Sequence, residues 1–81
     1  MQDRTTTVIR FFNRVKHSVT LQVKIEELAP TDYGGLWRLA LETGYPIPYT
    51  AFIVACREVD ASILTPVVAK IVRTLQEHHD Q

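Results

Sequence analysis

Residues 36–52, Leu-Trp-Arg-Leu-Ala-Leu-Glu-Thr-Gly-Tyr-Pro-Ile-Pro-Tyr-Thr-Ala-Phe, constrain this chain more than any other stretch. Leu36, Leu39, Ala40 and Thr43 share one helical face, with Tyr33, Trp37 and Leu41 flanking it. Gly44 stands where a left-handed C-cap is wanted, and Tyr45 can fold back onto the last turn. Pro46 and Pro48 cannot continue that helix, while Pro48 has its φ already set for the first position of the next one. Ile47 is placed to staple onto Ala51 or Phe52. The stretch predicts a helical hairpin, and no motif in it or elsewhere names a reaction.

Upstream, Thr5, Thr6 and Thr7 can cap a helix start, because a hydroxyl accepts from free first-turn amides. Val8, Ile9, Phe11, Phe12 and Val15 fall on one half of the helical wheel and Arg10, Asn13, Arg14 and His17 on the other, which predicts a helix over 7–17. Residues 18–28 read two ways. Val19, Leu21, Val23 and Ile25 alternate with polar residues, a strand pattern. As a helix, the same stretch lines up Leu21, Ile25 and Leu28, with Val19 and Val23 as a second apolar stripe. A strand would need a partner strand from a second copy, because residues 5–12 read as helix. The helix is the favoured reading.

Thr31 or Asp32 can cap the third helix, whose first turn Gly34 and Gly35 weaken by about 1 kcal/mol each relative to alanine. Tyr49, Phe52, Cys56 and Val59 give a fourth helix its apolar stripe, broken at Asp60 or Ser62. Thr65-Pro66 opens a fifth. Its Val67, Val68, Ile71, Val72 and Leu75 oppose Lys70, Arg73, Gln76 and Glu77. The expectation is all-α: one domain over 1–81, a small bundle of four to five short helices with a central helical hairpin. Residues 1–4 and 77–81 are expected to fray, with Gln76 at the edge of the frayed end. The alternative is α+β, with residues 18–26 as a strand paired in a dimer.

At this length a single core is marginally stable, and 46% hydrophobic residues exceed what disorder would carry. The surplus suggests burial against another protein or a second copy of the chain. Net charge is zero but uneven. Residues 1–25 carry Arg4, Arg10, Arg14, Lys16 and Lys24 against Asp3, whereas 26–60 carry Glu26, Glu27, Asp32, Glu42, Glu58 and Asp60 against Arg38 and Arg57. Such bipolarity favours head-to-tail docking or an acidic partner. A nucleic-acid partner fits poorly, because the cations form no continuous stripe with stacking aromatics. With residues 1–7 polar and no apolar run near membrane-span length, no signal peptide and no membrane partner are expected, and a cytoplasmic location follows.

A single cysteine excludes an internal disulfide framework, and Cys56 within an apolar stripe reads as a buried structural thiol. His78, His79 and Asp80 are adjacent in sequence and do not converge on a metal from a helix. Glu26, Glu27 and Asp32 fit a solvated or dipole-facing role better than acid–base chemistry. No cofactor, metal or catalytic residue is assigned. The candidate partner-binding residues are Arg10 and Arg14 on the basic helix, with Trp37, Tyr45 and Tyr49 at the hairpin. Tryptophan and tyrosine bury large areas while keeping a polar tip.

The series Phe12, Val15, Ser18, Leu21-Gln22, Lys24-Ile25, Leu36, Leu39-Ala40, Thr43-Gly44-Tyr45, Ile47 and Phe52 resembles the nif-eleven leader-domain family, named after a nitrogen-fixation gene product. The likeness spans residues 8–53, roughly half of the chain. Some members of that family precede natural-product core peptides and are held by a maturation enzyme, ending in Gly-Gly before a core rich in Cys, Ser and Thr. Here another helix follows Val59, with no Gly-Gly and no such tail. Free-standing members occur in diazotrophs and cyanobacteria and look like small accessory proteins without an assigned biochemical role, and that version fits better. The resemblance implies a small accessory protein linked to nitrogen metabolism, and the charge asymmetry and apolar surplus add that it is non-catalytic and acts by protein–protein contact. A leader-like substrate of a peptide-modifying enzyme and a small nucleic-acid-binding regulator are the alternatives.

Overall fold

Each apolar stripe in the sequence corresponds to a helix in the computed structural model, which describes residues 4–77. The order is α1 (Arg4–Lys16), α2 (Val19–Glu26), α3 (Tyr33–Thr43), α4 (Tyr49–Glu58), a 3₁₀ turn (Ala61–Ile63) and α5 (Pro66–Glu77). No strand occurs among the described residues, so the chain is a small all-α bundle and the α+β alternative falls. The alternation in α2 resolves as two helical pairs. Leu21 and Ile25, one turn apart, face the core, while Val19 and Val23 face solvent at 75% and 48% exposure.

Helix α1 packs against α4, α2 and α3, and α5 packs against α4 and α2. The α3–α4 hairpin is present, and both arms join the interior, α3 through Leu36, Leu39 and Ala40 and α4 through Phe52, Ala55 and Cys56. Phe11, Phe12 and Phe52 are the largest fully buried side chains, with Ile25, Leu36, Ile71 and the valines 8, 15, 68 and 72 around them. No polar or charged residue is buried among those described.

Several local expectations need correction. Helix α1 starts at Arg4, so the three threonines lie inside its first turns instead of preceding it. Ile9 is 40% exposed, because the buried face narrows to Val8, Phe11, Phe12 and Val15. Pro48 is the N-cap of α4 with extended backbone, one position earlier than expected, and its carbonyl accepts from the Phe52 amide at 2.9 Å. Thr65 caps α5 through its carbonyl, which accepts from Ala69 at 2.8 Å. Its hydroxyl is buried without a hydrogen-bond partner. Gln76 is part of α5 and tied to α4, and Glu77, the last described residue, is helical as well. The rest of the segments expected to fray lies outside the described residues.

Candidate functional site

The sequence placed Arg10, Arg14, Trp37, Tyr45 and Tyr49 in one working surface. The structure divides them into two groups, and the division follows from the turn after α3. Gly44 takes φ 103°, the left-handed region in which glycine carries no Cβ penalty. Its amide donates to the Leu41 carbonyl, and the Tyr45 amide donates to Ala40 at 2.9 Å, a Schellman closure. That turn sends Tyr45 back toward α1, where its ring centroid lies 6.1 Å from that of Phe11.

Tyr45 thereby becomes one wall of a hollow of about 350 Å³, lined otherwise by Arg10, Asn13, Arg14 and His17. The three residues from Arg10 to Arg14 and His17 just past the helix end recur at helical spacing, so one face of α1 supplies them all. Every lining side chain can donate a hydrogen bond and none carries negative charge. Helix α1 contains no acidic residue. Among the described residues, neither Arg10 nor Arg14 is held in an ion pair. Asn13 was not among the candidate residues, although its place three residues after Arg10 on the polar half of the wheel was the available signal.

Trp37 and Tyr49 form the second group and fasten the hairpin. The indole Nε1–H of Trp37 donates to the Ile47 carbonyl at 2.7 Å, and the Tyr49 ring meets the indole edge-on with centroids 5.4 Å apart. Trp37 is half-buried and Tyr49 is exposed. One carbonyl in the two-proline link is thus satisfied by a side chain, which a proline-rich turn needs because it has fewer amides to offer.

Cys56 is fully buried and free, and burial pushes its thiol up to about 12. A thiol that resists ionisation is a poor nucleophile and a poor metal ligand. No group of three or more potential metal-ligating side chains occurs among the described residues. His78, His79 and Asp80 lie outside them. Among the described residues no helix is long and apolar enough to cross a membrane. Comparison with protein-family models, curated proteins and solved structures gives no match.

Proposed function

We propose that this chain is a small, non-catalytic accessory protein that works by protein–protein contact, with the hollow of Arg10, Arg14 and Tyr45 as its contact site. One observation carries the reading: candidate residues from distant parts of the sequence meet in a hollow whose lining is entirely donor-bearing and whose arginines have no ion-pair partner among the described residues. Two guanidiniums beside an aromatic wall are the ingredients of an interface hot spot for an acidic partner. Trp37 and Tyr49 support this surface by fixing the hairpin that carries Tyr45. The link to nitrogen metabolism rests on the nif-eleven resemblance of residues 8–53.

The test is retention of proteins from the source organism on the immobilised wild-type chain, alongside Arg14→Glu and Trp37→Ala. Light scattering on the purified chain reports whether a second copy is itself the partner. A specific partner retained by wild type and lost with Arg14→Glu supports the reading. Retention unchanged in both variants, with their helical spectra intact, overturns this choice of surface.

A further inference from the structure

The hollow at Tyr45 has a neighbour. Ile9, Arg10, Asn13, Lys16 and Ile63 line a second depression of about 150 Å³. Arg10 and Asn13 belong to both, so the exposed side of α1 is one continuous surface with two compartments. The compartments differ in chemistry. The larger one combines two guanidiniums with other donor-bearing side chains and the Tyr45 ring, with no aliphatic side chain and no negative charge in its lining. The smaller one has an aliphatic pair, Ile9 from α1 and Ile63 from the 3₁₀ turn, with Lys16 beside it.

We propose that this two-compartment face docks an acidic amphipathic segment of a partner protein. An oxyanion-bearing side chain sits among Arg10, Arg14 and Tyr45, and a neighbouring aliphatic side chain packs on Ile9 and Ile63. The proposal deepens the accessory-protein reading and rests on it. The guanidinium fork matches the oxygens of carboxylates and phosphomonoesters, so these two anions share the recognition chemistry. The Gly44 turn and the Phe11 contact fix Tyr45 in advance, which lowers the cost of ordering one wall on binding.

One force opposes an anion here: the negative end of the α1 dipole lies near Arg14 and His17. It amounts to about half an elementary charge, against two full positive charges on the arginines. The α1 carbonyls of Arg14, Val15 and Lys16 are moreover already engaged, by the His17 and Ser18 amides and by the Gln22 side chain. The positive charges prevail. Single-stranded nucleic acid suits the face less well, since stacking needs a series of open aromatic faces and the Tyr45 ring is half-buried beside Phe11, leaving His17 as the one exposed ring of the hollow.

The experiment follows amide resonances of the full isotope-labelled chain during titration with short synthetic helical peptides. One carries Glu and Leu at helical spacing. Others replace Glu by phosphoserine, by Gln or by Lys, and a single-stranded RNA oligonucleotide completes the set. The Glu or phosphoserine peptide is expected to shift Ile9, Arg10, Asn13, Arg14 and Ile63, and their ranking identifies the anion. Replacing Glu by Gln, or making the double variant Arg10→Gln/Arg14→Gln, should weaken binding about tenfold, as expected for loss of two partly exposed charge pairs. Ile9→Asn should also weaken binding, with a loss that does not vary with salt. Equal affinity for the Gln peptide, tighter binding of RNA or of the Lys peptide, or dimerisation that covers these resonances would each overturn the assignment. If a partner from the source organism is retained equally well by Arg10→Gln/Arg14→Gln, this face is excluded while the accessory reading stands. If nothing is retained by wild type, that reading fails as well.

Discussion

The side-chain amide of Gln76 in α5 donates to the carbonyls of Cys56 and Val59 at the end of α4, at 3.2 and 3.3 Å, across 20 and 17 residues of sequence. The same device recurs. The Gln22 amide in α2 reaches the Val15 carbonyl at 2.9 Å at the end of α1, and Lys70 Nζ in α5 reaches the Glu26 carbonyl at 3.1 Å at the end of α2. With the Gly44 turn closing α3, each of the first four helices ends on an identified donor. Helices of 8–13 residues are marginal alone, because nucleation is costly and the last carbonyls lack intrahelical partners. Closing three of them with a side chain from another helix satisfies those carbonyls and fixes the packing at the same time.

Gln76→Ala is therefore expected to destabilise the chain by about 1–2 kcal/mol, the usual cost of leaving part-buried carbonyls without their donor. In a domain this small that corresponds to a fall in Tm of roughly 4–8 °C per kcal/mol. Gln76→Glu should cost more, because it replaces the donor with an anion at the negative end of α4. Urea unfolding of the two variants beside wild type measures both. Equal stability of all three would show that solvent replaces the cap without loss.

The paired glycines of α3 should respond oppositely to alanine. A Cβ on Gly34 meets nothing within 4 Å, so Gly34→Ala gains helix propensity and stabilises by about 1 kcal/mol. A Cβ on Gly35 would lie 2.9 Å from Leu28 Cδ2 and 2.6 Å from an oxygen of Asp32, whose carboxylate caps α3 by accepting from the Gly35 amide. Gly35→Ala should destabilise by about 1 kcal/mol or more through that disturbed cap, despite the better propensity. Chemical denaturation separates the two, and a stabilising Gly35→Ala would show that the cap shifts freely.

These glycines also mark what the sequence could and could not convey. Their adjacency predicted a weak first turn, but which of them meets a neighbour depends on how the Asp32 cap and Leu28 fold back onto that turn, which residue types alone do not specify. Hairpin features were legible because they are local: Gly44 as the C-cap, the prolines as a break, and the apolar faces of α3, α4 and α5. Helix α2 was ambiguous because Val19, Leu21, Val23 and Ile25 satisfy both a period of two and a pair of i, i+4 stripes, and only burial tells these apart. Gln22, Lys70 and Gln76 read as ordinary polar-face residues, since the carbonyls they serve lie 7, 44 and 20 residues away. For the same reason Arg10 and Arg14 were visible as a stripe, while their meeting with Tyr45 required the turn that brings α3 back to α1.

Cys56 should be silent in the native state. With its thiol pushed up to about 12 by burial, iodoacetamide at pH 8 should modify it only as fast as the chain opens, and rapidly once urea unfolds it. The direction of the pH effect follows. The folded thiol holds its proton to a higher pH than the unfolded one, whose ordinary value is 9.0. Its contribution is fully present below about pH 9, and stability declines as pH rises from there toward 12. Cys56→Ala should lose packing but flatten that alkaline decline, so unfolding curves at pH 8 and pH 10.5 isolate the thiol. An equal alkaline decline in both proteins would assign it to other groups.

The Gly44 turn couples stability to the proposed contact site, so one substitution reads out both. At φ 103° any side chain is strained, even though a Cβ there meets no neighbour, so the cost of Gly44→Ala is conformational and about 1 kcal/mol. If the backbone instead relaxes out of the left-handed region, the Tyr45 amide loses its bond to Ala40 and the ring loses its fixed place against Phe11. The hollow would then lose a wall while Arg10 and Arg14 stay on α1. Amide shifts near Phe11 and Arg14 in Gly44→Ala should move away from wild type under conditions where the rest of the spectrum stays native. Affinity for the acidic peptide should fall although no charge has changed. Gly44→Asn is the control, because asparagine tolerates the left-handed region better and should keep most of both properties. Weakened binding in Gly44→Ala that Gly44→Asn restores would tie the turn to the site. Unchanged binding in Gly44→Ala, with Tyr45 displaced, would remove Tyr45 from it.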